Sequence, residues 1–260
     1  LRAVAYLYGR SVDELMGVTK DLISRGIRAF TVSPTTLLGG VSPAHSDLTP
    51  FYALLEQNNI PLTLHVLGDQ GFLGTRAWGD APFFKGYSVF HEFDFSPWAL
   101  SVVHLPPQNF IATMVTGGVF ERHPNLRFGA IELGSYWIGQ LAHNLDLWHR
   151  QNNSLFKKIE LKAEGNAQDQ VQSALAVERL PKFPSFYINR NVRVSAYDFE
   201  HVDEYIERYG IEDVYCYSSD FPHVEGGRDP MGAHAARLEK LGPDILEKFF
   251  VTNGAWLLPD

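Results

Sequence analysis

The sequence contains very little cysteine, no membrane-length apolar run and no excess of positive charge. Cys216 is the single cysteine, which excludes an intrachain disulfide and a zinc site built from several cysteines. Apolar runs such as residues 62–67 are as long as a strand, whereas a membrane-spanning helix needs about 20 residues. The 30 acidic residues outnumber the 22 basic ones. We therefore expect neither a membrane nor a nucleic acid as partner, and a cytoplasmic location.

Several motifs of enzyme active sites are also missing. The chain has no Gly-x-Ser-x-Gly elbow, no phosphate-binding Gly-x-x-x-x-Gly-Lys loop and no Gly-x-Gly-x-x-Gly after a strand. Cys216 lies within a predicted buried strand, so a role as nucleophile is not expected. Serine hydrolase, P-loop and dinucleotide-binding functions are disfavoured.

The sequence does contain apolar strand-like runs that alternate with amphipathic helical segments. The predicted strands are residues 2–8, 28–32, 61–66, 127–131, 192–195 and 213–217. The predicted helices are residues 12–25, 49–58, 107–120, 135–150, 199–209 and one within 243–258. This alternation predicts an α/β fold with a parallel sheet, of the (β/α)8 TIM-barrel type.

The pattern accounts for about six strand-helix units, whereas a closed barrel of this type has eight. We therefore expect the N-terminal strand-helix units to be lacking from this chain, which starts at Leu1 without an initiator methionine. Residues 1–260 are predicted to form a single barrel domain with insertions at about 68–100 and 151–185.

Three polar residues lie at or just after the ends of predicted strands, where parallel sheets place their ligands. His65 could ligate a divalent metal, or it could be a core histidine bonded to a backbone carbonyl. Asp220 could bind metal, accept a proton or do both, or it could form an Asx turn before Pro222. Glu132 could act as a base or orient a ligand, or it could form a structural salt bridge with an arginine.

Residues near these three are candidates for substrate binding. His223 and Arg228 lie in the glycine-containing loop after Asp220 and could bring a cation to a substrate carboxylate, although a surface loop stabilised by its own charges is an equal alternative. Phe72 and Trp78 belong to the aromatic insertion after residue 68 and would cover the substrate.

Four segments resemble the amidohydrolase-related branch of the amidohydrolase superfamily, which includes aminocarboxymuconate-semialdehyde decarboxylase. They are PLTLH at 61–65, GGVFERHPNLRFGAIELG at 117–134, YSSDFPHVEG at 217–226 and EKFFVTNGAWLL at 247–258. The resemblance implies that His65 and Asp220 are metal ligands. Glu132 stands where the decarboxylases of this branch have a histidine, and the first-strand pair of ligands, His-x-His or Glu-x-His, does not occur in these 260 residues.

The resulting hypothesis is a metal-dependent hydrolase that attacks a small carboxylated, aromatic or cyclic substrate with metal-activated water. Zinc is the first choice of cofactor, with manganese or iron as alternatives, and Glu132 or Asp220 would move protons. A non-oxidative decarboxylase is the alternative enzyme. A non-catalytic barrel that has lost its metal site is the alternative of another class, and assembly as a homo-oligomer is left open.

Overall fold

The computed structural model describes residues 3–65, 76–86, 96–162, 179–221, 223 and 226–259. Six strands form one sheet in chain order, and every neighbouring pair is parallel. They are β1 (Ala5–Tyr6), β2 (Phe30–Val32), β3 (Leu62–His65), β4 (Phe128–Ile131), β5 (Val192–Ser195) and β6 (Tyr215–Cys216). All six predicted strands are present, and the strand at residues 192–195 has the predicted bounds.

Helices connect the strands, as crossovers between parallel strands require. They are α1 (Val12–Ser24), α2 (Thr49–Gln57), α3 (Pro97–Val102), α4 (Leu105–Thr116), α5 (Val119–Arg122), α6 (Ile138–Lys162), α7 (Pro184–Asn191), α8 (Val202–Tyr209), α9 (Pro230–Leu238), α10 (Pro243–Glu247) and α11 (Asn253–Leu257). A π-helical turn, Lys248–Thr252, separates α10 from α11. The α/β class with a parallel sheet is thus confirmed.

The structure corrects several of the helical predictions. The helix predicted at 107–120 is two helices, because Gly118 adopts a φ of 71° between α4 and α5. Helix α6 continues to Lys162 instead of ending at residue 150, so it enters the region predicted as an insertion. Helices α3, α7 and α9 were not predicted, and α9 is capped by the Asp229 side chain. The closing helix is interrupted by the π-helical turn.

The core lies between the sheet and its helices. Phe128 of β4 is fully buried, and its ring lies 5.9 Å from those of Phe110 on α4 and Phe120 on α5. All four residues of β5 are buried, as expected for a parallel strand covered on both faces. By contrast, Tyr6 is 48% exposed on β1, at one end of the strand order.

The side of β4 opposite Phe128 is covered by the C-terminal helix. A side chain at Gly129 would collide with Leu257 of α11, so glycine permits this close approach. Arg193 of β5 stacks on Trp256, with its guanidinium carbon 3.9 Å from the ring centroid. These contacts fix the sheet whose carboxyl ends carry the candidate site.

Among the helices of the described residues, none combines the length and the apolar character needed to cross a bilayer. The single-domain organisation with two insertions stays a prediction.

Candidate active site

The carboxyl ends of the parallel strands bring the predicted residues together. His65 is the last residue of β3, Glu132 directly follows β4, and Asp220 lies in the loop after β6. The Nε2 atom of His65 is 2.8 Å from Oε2 of Glu132. The Glu132 side chain is 9% exposed and that of His65 is 39% exposed, so only the Glu132 side of this contact is shielded from solvent.

Glu132 also connects His65 to the other half of the site. Its Oε1 atom lies 3.6 Å from Nδ1 of His223, and the same nitrogen lies 3.2 Å from Oδ1 of Asp220. His65 and Asp220 therefore reach the same edge of the sheet, with Glu132 and His223 between them. Among the described residues, the Glu132 carboxylate contacts two histidines and not the arginine considered above.

Three of these side chains form a group that could hold a metal ion. Glu132, Asp220 and His223 can each offer one ligand atom, and these atoms lie within 4.8 Å of one another. Two carboxylates and an imidazole are donors that zinc, manganese and iron accept. His65 contacts this group through Glu132.

Two of the candidate residues have an unusual backbone conformation. Glu132 has a φ of 59° and Asp220 a φ of 52°, in the left-handed region that residues with a side chain rarely adopt. Asn59 is the third such residue in the described part of the chain. Strained conformations tend to occur where function requires a particular side-chain direction, which agrees with a functional role at Glu132 and Asp220.

Residues from β5 and the loop after it surround Glu132. The Glu132 amide donates to Oγ of Ser195 at 3.1 Å, and the Tyr197 hydroxyl donates to the Glu132 carbonyl at 3.0 Å. Burial and the nearby carboxylates of Glu132 and Glu200 raise the pKa of Tyr197, so the phenol stays a protonated donor. A small pocket is lined by Glu132, Ser195, Ala196, Tyr197, Asp198, Ser218, Asp220 and Gly226.

Sequence reasoning missed Ser195 and Tyr197. The available signal was position, because Ser195 ends the predicted strand 192–195 just as His65 ends β3. It also missed an exposed aromatic group beside the site. The ring of Phe199 is stacked on that of Tyr197 at 5.3 Å and is 64% exposed.

Only one of the four predicted substrate-binding residues is described within the candidate site. His223 lies in the candidate site. Arg228 is exposed in the loop that follows, and Trp78 is 72% exposed on the 3-10 turn Arg76–Gly79. Phe72 lies outside the described residues. Binding of substrate by these four residues stays a prediction.

Fold and site together define an α/β protein with a candidate metal centre at the carboxyl ends of its strands. The model of the amidohydrolase family matches residues 19–259. The chain therefore belongs to the amidohydrolase family, as the resemblance predicted. A search of curated proteins finds no match.

Solved structures support the same fold. The amidohydrolase map2389c from Mycobacterium avium subsp. paratuberculosis K-10 has a TM-score of 0.70 and 24% identity over 98% of this chain and 58% of its own. The 5-carboxyvanillate decarboxylase LigW from Sphingomonas paucimobilis has a TM-score of 0.61 and 12% identity over 98% and 66%. The 2,6-dihydroxybenzoate decarboxylase from Rhizobium has a TM-score of 0.57 and 17% identity over 98% and 70%.

These likenesses confirm the barrel-type fold. This chain spans 58% and 66% of the first two of those proteins.

Proposed function

We propose that the protein carries out metal-dependent chemistry on a small carboxylated aromatic or cyclic compound, and that the reaction is non-oxidative decarboxylation. The observation that carries this proposal is the group formed by Glu132, Asp220 and His223 at the carboxyl ends of the strands. Hydrolysis was the first expectation from the sequence. Decarboxylation is preferred because similar structures include decarboxylases of carboxylated aromatic compounds.

In this proposal Asp220 and His223 would hold a divalent ion, with His65 as a further predicted ligand, and the Glu132 carboxylate between the two imidazoles would stay free to carry a proton. A bound ion would supply Lewis-acid chemistry, stabilising negative charge on the substrate. Zinc stays the first choice of ion, and manganese gains support because a 5-carboxyvanillate decarboxylase structure from Novosphingobium aromaticivorans contains it.

Glu132 is the proposed proton-transfer group. Its two carboxylate oxygens lie 2.8 Å and 3.6 Å from the imidazoles of His65 and His223, which can exchange protons with it. Decarboxylation breaks the bond between a substrate carbon and its carboxylate, and the electron pair stays on that carbon. A proton delivered from the Glu132 carboxyl then replaces the carbon dioxide that leaves.

Hydrolysis is the second candidate, and a specific observation favours it. Glu132 stands where the decarboxylases that the sequence resembles have a histidine, and a carboxylate is a suitable base for a water molecule. In that reaction Glu132 would accept a proton from the attacking water instead of giving one to carbon.

One assay separates the two reactions. The purified protein is supplied with Mn²⁺ or Zn²⁺ and incubated with 2,6-dihydroxybenzoate, 5-carboxyvanillate and related hydroxybenzoates and their esters in ¹⁸O-labelled water. Decarboxylation predicts carbon dioxide and a product with hydrogen in place of the carboxylate. Hydrolysis predicts ¹⁸O in the product carboxylate.

The control is Asp220→Asn, which removes one charged donor of the candidate metal group and should abolish either activity. Full activity in this variant would contradict the proposed site. Absence of both reactions across the set, from protein that retains none of the supplied metal, would support the non-catalytic alternative.

A further inference from the structure

Glu200 is a buried carboxylate that the proposed chemistry does not use. It lies in the loop between β5 and α8 and is 4% exposed. Both of its oxygens accept from the Ser135 amide at 3.0 Å, Oε2 accepts from the Ser135 hydroxyl at 2.8 Å, and Oε1 accepts from the Tyr197 amide at 2.8 Å. A buried carboxylate is costly unless such donors compensate for the lost water. Burial raises the pKa of Glu200, and these hydrogen bonds oppose the rise.

The two residues that Glu200 holds lie on either side of Glu132. Ser135 is in the loop that carries Glu132 away from β4, and Tyr197 is in the loop after β5. The Tyr197 hydroxyl donates to the Glu132 carbonyl at 3.0 Å. One buried carboxylate therefore joins two neighbouring loops at the point where Glu132 enters the site.

Glu132 needs such support because of its backbone. Its φ of 59° is unfavourable by about 1 kcal/mol or more for a residue with a side chain, so surrounding contacts must maintain it. A change to negative φ would turn the carboxylate away from His65 and His223, from which it now lies 2.8 Å and 3.6 Å.

We propose that Glu200 is a positioning residue: by joining Ser135 to Tyr197 it holds the Glu132 carboxylate in the site. Glu200 acts through these two residues and does not touch the substrate. The inference rests on the proposed function, since it assigns Glu200 a role in the same candidate metal centre.

The test uses Glu200→Gln and Tyr197→Phe in the purified protein. Glutamine keeps the size of the side chain but places an amide NH2 among the donors of Ser135 and Tyr197, so part of the network is lost. Calorimetric titration with Mn²⁺ should show affinity about 10-fold to 100-fold lower for Glu200→Gln. Tyr197→Phe removes only the bond to the Glu132 carbonyl and should weaken binding in the same direction.

A metal-free crystal structure of Glu200→Gln provides a readout that does not depend on metal. We expect Glu132 to leave its positive φ and to lose its contact with His65. The matched control is Glu204→Gln on α8, whose side chain is 67% exposed and which should bind Mn²⁺ like the unmodified protein.

The outcomes separate the two proposals. If Glu200→Gln melts at a lower temperature but binds Mn²⁺ normally and keeps Glu132 in place, Glu200 has only a structural role and the inference is wrong. If the unmodified protein binds no Mn²⁺ or Zn²⁺, the proposed function fails, and the crystal structure of the variant still decides whether Glu200 positions Glu132. If Glu200→Gln does not fold, the test rests on Tyr197→Phe. An unchanged affinity for Mn²⁺ and an unchanged position of Glu132 in that variant would overturn the inference.

Discussion

Divalent metal should stabilise the folded protein, and the substitution Asp220→Asn should remove that stabilisation. Asp220 offers one of three ligand atoms that lie within 4.8 Å of one another, and its side chain is 17% exposed, so a bound ion would be partly shielded from water. A ligand that binds only the folded state stabilises that state by about 2.7 kcal/mol when its free concentration is a hundred times its dissociation constant.

The expected shift in melting temperature follows from the chain length. An unfolding entropy of about 2.1 cal/mol/K per residue gives about 0.55 kcal/mol/K for 260 residues, so the melting temperature should rise by about 5 °C. If Asp220→Asn weakens binding about a hundredfold, the stabilisation falls to about 0.4 kcal/mol and the shift to under about 1 °C.

Differential scanning calorimetry with and without Mn²⁺ or Zn²⁺ measures this shift. The control is Asp21→Asn on α1, whose carboxylate is 53% exposed and pairs with Arg25 at 2.9 Å. An exposed pair of this kind contributes less than about 1 kcal/mol, so the control should keep the full metal-induced rise. An equal rise in Asp220→Asn and in the unmodified protein would refute the assignment of Asp220 as a ligand.

Three further predictions concern the fold. Phe128→Ala should lower the free energy of unfolding by about 3–5 kcal/mol, because it removes a fully buried ring packed against two others. Urea denaturation measures this free energy, and a loss under about 1 kcal/mol would contradict the packing. Burial lowers the pKa of His234 to about 4. Between about pH 6.5 and pH 4 the unfolded chain therefore binds a proton at this residue that the folded chain does not, and roughly 3 kcal/mol of stability should be lost as the pH falls through this range. His234→Leu should lose less over that range, and an identical pH profile would show that another group is responsible. Arg193→Lys should reduce stability by about 1–2 kcal/mol and change the fluorescence of Trp256, because the Arg193 guanidinium stacks on that ring at 3.9 Å. An unchanged free energy of unfolding together with unchanged fluorescence would argue against this stacking.

Local patterns were sufficient to predict the fold class and the positions of the main candidate residues. Buried parallel strands give short continuous apolar runs, so all six strands could be located from the sequence. Because the carboxyl ends of parallel strands meet at one edge, His65 and Asp220 could be expected there together. The prediction was less accurate where the residues became polar. Helix α6 was predicted to end at residue 150, but it continues to Lys162 through a polar region.

The contacts around Glu132 depended on the tertiary structure. Its amide bonds to Ser195 across 63 positions in the chain, and Ser135 bonds to Glu200 across 65. The sequence by itself located the end of each strand to within two residues, because that position depends on the apolar run preceding it. The tertiary structure decided which of the residues at these ends touch one another. Their contacts depend on the order and register of the strands and on backbone angles such as the positive φ of Glu132, and the packing of the complete sheet determines that order, register and angle.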